Sequence, residues 1–227
     1  MNGGKAACEP PEGGMERKEA RTGCGIVVSG PSGAGKGTLI GHLLQCFPDL
    51  TVSVSATTRS PRGSEVDGRD YFFLSGEKFT EMAERGEFLE WAEVHGRHRY
   101  GTPRRPAEEN LAAGRDILFE LDVQGAMAIR KALPASTLIF VLPPTVAVLE
   151  ERLRDRGTDG EEEIGRRLRR AGEEIRLIGE YDYLVINDGL EAAKRDIESI
   201  VRSRRLRVGD PEGTIRRFLS GESEREP

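Results

Sequence analysis

Apolar runs too short to be helices recur at residues 26–28, 50–54, 117–121, 138–142 and 183–186, separated by stretches whose apolar residues return every three or four positions. The first of those stretches carries Leu39, Ile40, Leu43, Leu44 and Phe47 on one side, and Pro48 ends it. Further helices are expected over 106–113, 124–133 and 190–207, and over 145–177 with an interruption at Arg156-Gly-Thr-Asp-Gly160. Strands that alternate with helices predict an α/β fold, a parallel five-stranded sheet with helices on both faces.

The rhythm breaks at residues 56–105, where polar, turn-rich sequence surrounds the short apolar pieces 71–74 and 88–89. This segment reads as an inserted subdomain of short strands with one helix near 76–85. The core then comprises 23–55, 106–150 and 178–207, the polar helical stretch 151–177 is a candidate lid, and 23–207 form one folded unit. The glycine- and proline-bearing ends, 1–22 and 208–227, lack apolar periodicity and are expected to be disordered, with a short helix near 215–219 as the one exception.

Between the first strand and the first helix stands Gly30-Pro31-Ser32-Gly33-Ala34-Gly35-Lys36-Gly37-Thr38. In that setting consecutive backbone N–H groups and a helix N-terminus converge on one anion, and a lysine supplies charge to the outer phosphates of a nucleotide. The position after Lys36, where a magnesium-binding hydroxyl is usual, is Gly37. Thr38 either meets a phosphate directly or leaves Mg²⁺ to be held through water and the nucleotide.

Composition narrows the partners. A net charge of −5 disfavours a surface made for nucleic acid, and no apolar run is long enough for a membrane. Of the 34 basic residues six are lysine and 28 arginine, which suits phosphate chemistry and equally a biased genome. Cys8, Cys24 and Cys46 are odd in number and show no metal-like spacing, so a reducing cytoplasm is expected, with Cys24 and Cys46 packed as small apolar residues.

The acceptor must be read from the inserted segment. Arg59 and Arg62 share a proline-stiffened turn ahead of Tyr71, and two forked cations with a phenol suit a second phosphate. Glu90 lies in Glu87-Phe-Leu-Glu-Trp91, where a carboxylate among apolar residues needs a partner. Guanine offers N1–H and N2–H₂ side by side, matching two carboxylate oxygens, whereas adenine presents a lone pair at that edge. Surface arginines, a core tyrosine and an edge-strand glutamate remain the alternative reading of these four residues.

The order and spacing of several pieces resemble the guanylate kinase family from about residue 25 to 202. The pieces are Ser29 to Thr38, Ser55-x-Thr-Thr-Arg-x-Pro-Arg-Gly-x-Glu65, Asp67-Gly-x-Asp-Tyr71, Glu87 to Trp91, Tyr100-Gly-Thr102, Glu120-Leu-Asp-Val-Gln-Gly125, Arg156-Gly-Thr158 and Ile186-Asn-Asp188. The resemblance implies a P-loop nucleoside monophosphate kinase fold and transfer of a phosphoryl group from ATP to GMP, with dGMP a further acceptor, in purine nucleotide metabolism. It places Arg59, Arg62, Tyr71 and Tyr100 on the GMP phosphate, Ser55, Glu90 and Thr102 at the guanine, and Asp122 on the ribose side. Glu65 supports the arginine turn, and Glu120 ends the central strand near metal and nucleotide. Lys36, Arg156 and Arg167, with Arg152 a further candidate, neutralise the transferred group, and Asn187 lies near the adenine. Mg²⁺ is implied through phosphates and water near Thr38, Glu120 and Asp122. Competing readings are a scaffold domain without catalysis and a kinase for another small phosphate acceptor. The loop Arg97-His98-Arg99 is one residue longer than the family spacing, which threatens the position of Tyr100 and leaves His98 an exposed loop residue. Without nucleotide, Arg156 and Arg167 are expected far from Lys36. Whether the chain is a monomer or a homo-oligomer does not follow from its sequence.

Overall fold

The computed structural model describes residues 22–94, 97–155, 157 and 160–220. The expected disordered end, apart from Thr22, and residues 221–227 lie outside the described residues. In chain order the elements are β1 (Gly25–Ser29), α1 (Lys36–Cys46), β2 (Thr51–Val52), β3 (Ala56–Thr57), β4 (Phe72–Phe73), α2 (Gly76–Glu84), β5 (Phe88–Val94) and β6 (His98–Pro103). There follow α3 (Arg104–Ala112), β7 (Ile117–Glu120), α4 (Val123–Ala132), β8 (Thr137–Leu142), α5 (Val146–Asp155), α6 (Glu161–Glu174), a 3₁₀ turn (Ile175–Glu180), β9 (Tyr183–Ile186), α7 (Leu190–Arg205) and α8 (Pro211–Ser220).

The main sheet has the order β2-β7-β1-β8-β9, and every pairing is parallel. Its central strand is apolar on both faces because both are covered. Ile26 and Val28 pack with Leu39 and Leu43 of α1 and Ala193 and Ile197 of α7. Val27, between them in sequence, packs the other way, with Ala126 and Ile129 of α4 and Ala107 of α3. This is the period of two expressed as two cores. The strand expected over 50–54 pairs only at Thr51 and Val52, against β7, since it is the sheet's edge.

The inserted segment forms a second sheet, β4-β3-β6-β5. Beneath it Phe79 of α2 packs with Phe88 and Ala56, and Phe72, Leu74 and Met82 join them. The short apolar piece expected at 88–89 is the start of a seven-residue strand, since residues 90–94 continue in β5 by antiparallel pairing with β6. The 208–227 end is not disordered throughout, as α8 is helical. Asp210 starts that helix by accepting from Gly213 N–H through Oδ1 at 2.9 Å, with Pro211 at the first helical position, where its missing donor costs nothing.

Candidate active site

The loop 30–38 leaves the C-terminal end of the central strand, where open α/β sheets place their ligand clefts. Gly30 has φ +134°, and a Cβ there would stand 2.2 Å from the carbonyl oxygen of Val141 on β8. Gly35, at φ +92°, caps α1 and would meet the Asn187 side-chain nitrogen at 2.3 Å. The loop's shape therefore requires glycine at both positions. Lys36 Nζ donates to the carbonyls of Gly30 and Pro31 at 2.6 and 3.1 Å, which folds the ammonium back over the loop. Asn187 lies buried behind the loop, donating to the Ala34 carbonyl at 2.9 Å and accepting from Arg152 at its own backbone oxygen at 2.8 Å.

A cavity of about 710 Å³ opens over the loop, with Gly30, Ser32, Gly33, Gly35, Lys36, Gly37 and Thr38 on its floor and Glu120 and Asp122 at its side. α6 forms the opposite wall with Glu163, Arg166, Arg167, Arg170 and Glu174. Arg167 donates to Ser32 Oγ at 2.6 Å, so this arginine is already on the loop, contrary to the expectation that it stands away from Lys36. The apolar side of α6, Ile164 with Leu168 and Ala171, packs on Leu149 and Leu153 of α5 and turns the arginines inward. Arg156 lies outside the described residues.

The three α6 arginines that line the cavity each have a carboxylate partner. Glu163 receives Arg166 and Arg167, while Arg170 pairs with Asp122 and Glu174 at 2.9 Å each. Glu174 is the more buried of these acids, and burial raises its carboxyl above the usual range although Arg170 and Lys36 oppose the shift. Glu163, Arg166, Arg170 and Glu174 were not singled out from sequence. Their spacing around Arg167, on one face of a helix, was the available signal.

The second sheet carries the other predicted site residues. Cross-strand pairing sets Glu90 opposite Thr102 and Ala92 opposite Tyr100, all on the face away from α2, while Trp91 and Gly101 face α2. Gly101 is needed there, as a Cβ would stand 2.8 Å from that of Trp91. Thr102, fully buried, donates its hydroxyl to Glu90 Oε1 at 2.6 Å. Burial pushes the Glu90 carboxyl above its ordinary range, Thr102 pulls the other way, and the Asp122 charge adds to the rise.

Pairing runs from Val94↔His98 to Ala92↔Tyr100 in step, which gives Tyr100 a regular place in β6. His98 is consequently a half-buried residue of β6 rather than an exposed loop residue. The Tyr100 and Tyr71 rings meet edge to face at 6.1 Å, and the Arg59 guanidinium lies 5.2 Å from the Tyr71 ring centre. Arg59 is itself buried, and its fork grips Glu65 at 2.8 and 2.9 Å. Glu65 also accepts the Arg62 backbone N–H at 2.7 Å, which closes the turn. Hydrogen bonding from Arg59, then from Arg62, depresses the Glu65 carboxyl to about 2. Ser55 is half-buried and gives its carbonyl to Phe72 N–H at 2.9 Å, joining the main-sheet segment to β4.

Comparison with known proteins bears on this arrangement. A guanylate kinase family model matches residues 22–204. The chain belongs to the guanylate kinase family. It is 52% identical over 192 residues to the guanylate kinase of Anaeromyxobacter dehalogenans, covering 82% of this chain and 84% of that one. It is 47% identical over 182 residues to that of Carboxydothermus hydrogenoformans, covering 80% and 89% respectively. Among solved structures, the guanylate kinase of Anaplasma phagocytophilum superposes with a TM-score of 0.69 at 30% identity, over 91% of this chain and 98% of the other.

Proposed function

We propose that this guanylate kinase family member transfers the terminal phosphoryl group of ATP to GMP, and to dGMP, within cytoplasmic purine nucleotide metabolism. The observation that carries the choice of acceptor is the Glu90–Thr102 pair, a largely buried carboxylate beside a hydroxyl on one face of the second sheet. Guanine's adjacent N1–H and N2–H₂ donate to that carboxylate, and a base without those donors leaves it unpaired. Failure to satisfy a site of this kind discriminates by about 10⁴-fold.

In this reading the loop 30–38 and Lys36 take the ATP phosphates. Arg59, Arg62, Tyr71 and Tyr100 take the GMP phosphate, with Glu65 as the positioning residue for Arg59. Ser55 and Thr102 accompany Glu90 at the base, Asp122 serves the ribose side, and Asn187 and Arg152 act from behind the loop. Both reactants are anions, so the barrier lies in charge repulsion, alignment and water exclusion. Lys36 and the lid arginines Arg156 and Arg167 answer the first, and Arg167 reaches the loop without any further movement of its helix. As triphosphate enters, its oxygens replace Glu163 and Asp122 as partners of Arg166, Arg167 and Arg170. No strong base is needed, since the acceptor is already a phosphate oxygen.

Thr38, Glu120 and Asp122 bring hard oxygen donors to the same cavity as Lys36, and this set fits Mg²⁺ with water filling the remaining positions. Gly37 contributes no ligand. When bound, Mg²⁺ supplies charge neutralisation at the phosphates. A coupled assay of ADP formation across AMP, GMP, dGMP, UMP and CMP tests the proposal. GMP and dGMP should dominate. Equal turnover of AMP and GMP would point to another acceptor, and no turnover by folded protein would point to a binding module.

A further inference from the structure

His42 and Cys46 stand one turn apart on α1, so both project from the same face of that helix, and α7 brings Glu198 against them. His42 Nε2 is 3.3 Å from Glu198 Oε2, Cys46 Sγ is 3.5 Å from His42 Nε2, and Cys46 Sγ is 3.6 Å from Glu198 Oε2. Without metal, the His42 Nε2–H and the Cys46 S–H can both donate to Glu198 Oε2, so the three donor atoms already face one another. One ion shared by them would impose similar separations. Bonds of about 2.0 Å to nitrogen and oxygen and about 2.3 Å to sulfur, opened to the tetrahedral angle, give edges of about 3.3 Å between N and O and about 3.5 Å from sulfur to either. The three edges have the lengths of one tetrahedral face; because Sγ also lies 3.8 Å from Nδ1, over the ring, the imidazole must turn to aim its Nε2 lone pair at the ion.

We infer that His42, Cys46 and Glu198 form a binding site for one zinc ion, with water as the fourth ligand. The donor set is mixed nitrogen, sulfur and oxygen, which favours zinc over magnesium or calcium. A thiolate and a carboxylate with a neutral imidazole balance the two positive charges. Glu198 is already turned for the task, because Arg202 holds its other oxygen, Oε1, at 2.7 Å and directs Oε2 towards His42 and Cys46. The His42 and Glu198 side chains are 15% and 20% exposed, which leaves an approach for ion and water. Counted from Lys36, the two α1 ligands lie about 9 and 15 Å further along the helix axis, away from the phosphate loop. The ion therefore ties the far half of α1 to α7 and takes no part in phosphoryl transfer.

The test uses the full chain, freed of metal with a chelator and kept reduced, titrated without nucleotide. Co²⁺ serves as the spectroscopic probe. Wild type should develop a thiolate-to-cobalt charge-transfer band with tetrahedral visible bands, saturating at one equivalent and removed by Zn²⁺. Cys46→Ala should abolish the charge-transfer band, His42→Ala and Glu198→Gln should weaken binding at least tenfold, and Cys8→Ala should leave it intact. Zn²⁺ should raise the Tm of wild type and not that of Cys46→Ala, with circular dichroism verifying that each variant is folded. Absence of the charge-transfer band in wild type would overturn the site whatever the variants do, and so would a band that survives Cys46→Ala.

Discussion

Glu90 owes its raised carboxyl chiefly to burial, and that sets how the protein should respond to acid. In the proposed guanine contact the protonated form loses an acceptor, so KM for GMP should climb as pH falls through a pKa above the ordinary 4.5, while KM for ATP holds. In Glu90→Gln that acid limb should vanish, and a limb that persists would assign it to another group. The same substitution exchanges one acceptor oxygen for an NH₂ group and removes one hydrogen bond to a charged acceptor, worth about 1.5–3 kcal/mol, so KM for GMP should rise about 10- to 100-fold in initial-rate kinetics. An equal loss for ATP would argue that Glu90 supports the fold rather than the base. Arg167 is already on Ser32, and under the proposed role in the transfer step Arg167→Ala should lower kcat about 100-fold or more with a smaller effect on KM for GMP.

At the scale of the element, the turn 59–65 is held by one carboxylate that grips the Arg59 fork and the Arg62 N–H. Its folded pKa of about 2 lies below the ordinary 4.5, so the stability it contributes is fully present above 4.5 and lost as pH falls towards 2. Glu65→Ala should therefore lower the Tm at pH 7, with the gap to wild type closing below pH 4 in a thermal melt series. A gap of the same size at every pH would show that shape, not charge, holds the turn. The phosphate loop is constrained differently, by space. A methyl at Gly30 meets the Val141 carbonyl at 2.2 Å in a backbone conformation unsuited to L residues, and Gly30→Ala should cost about 2 kcal/mol or more together with ATP affinity.

Over the whole molecule, the parallel sheet holds the loop, Glu120 and Asn187 at one end, and the second sheet carries the proposed acceptor residues. α8 stands apart from this work, with Ile215, Phe218 and Leu219 exposed. A chain ending at Arg207 should melt within about 2 °C of the full chain, and a larger drop would show that α8 packs on the body. No helix among the described residues is long and apolar enough to cross a membrane.

Much of this was legible from local pattern. Runs such as 26–28 and 117–121 had to be strands covered on both sides, and Gly30, Gly35 and Lys36 declared a phosphate loop, because backbone sterics and apolar burial act over a few residues. The sequence by itself determined the α/β order of elements, the loop and the residues beside it. What depended on distance along the chain was decided only by tertiary structure. Cys46 packs against the core as its sequence setting predicts, and it also meets Glu198 152 residues away because α1 and α7 share one face of the sheet. Arg167 reaches Ser32 across 135 residues because α6 packs on α5, a contact that no local periodicity specifies.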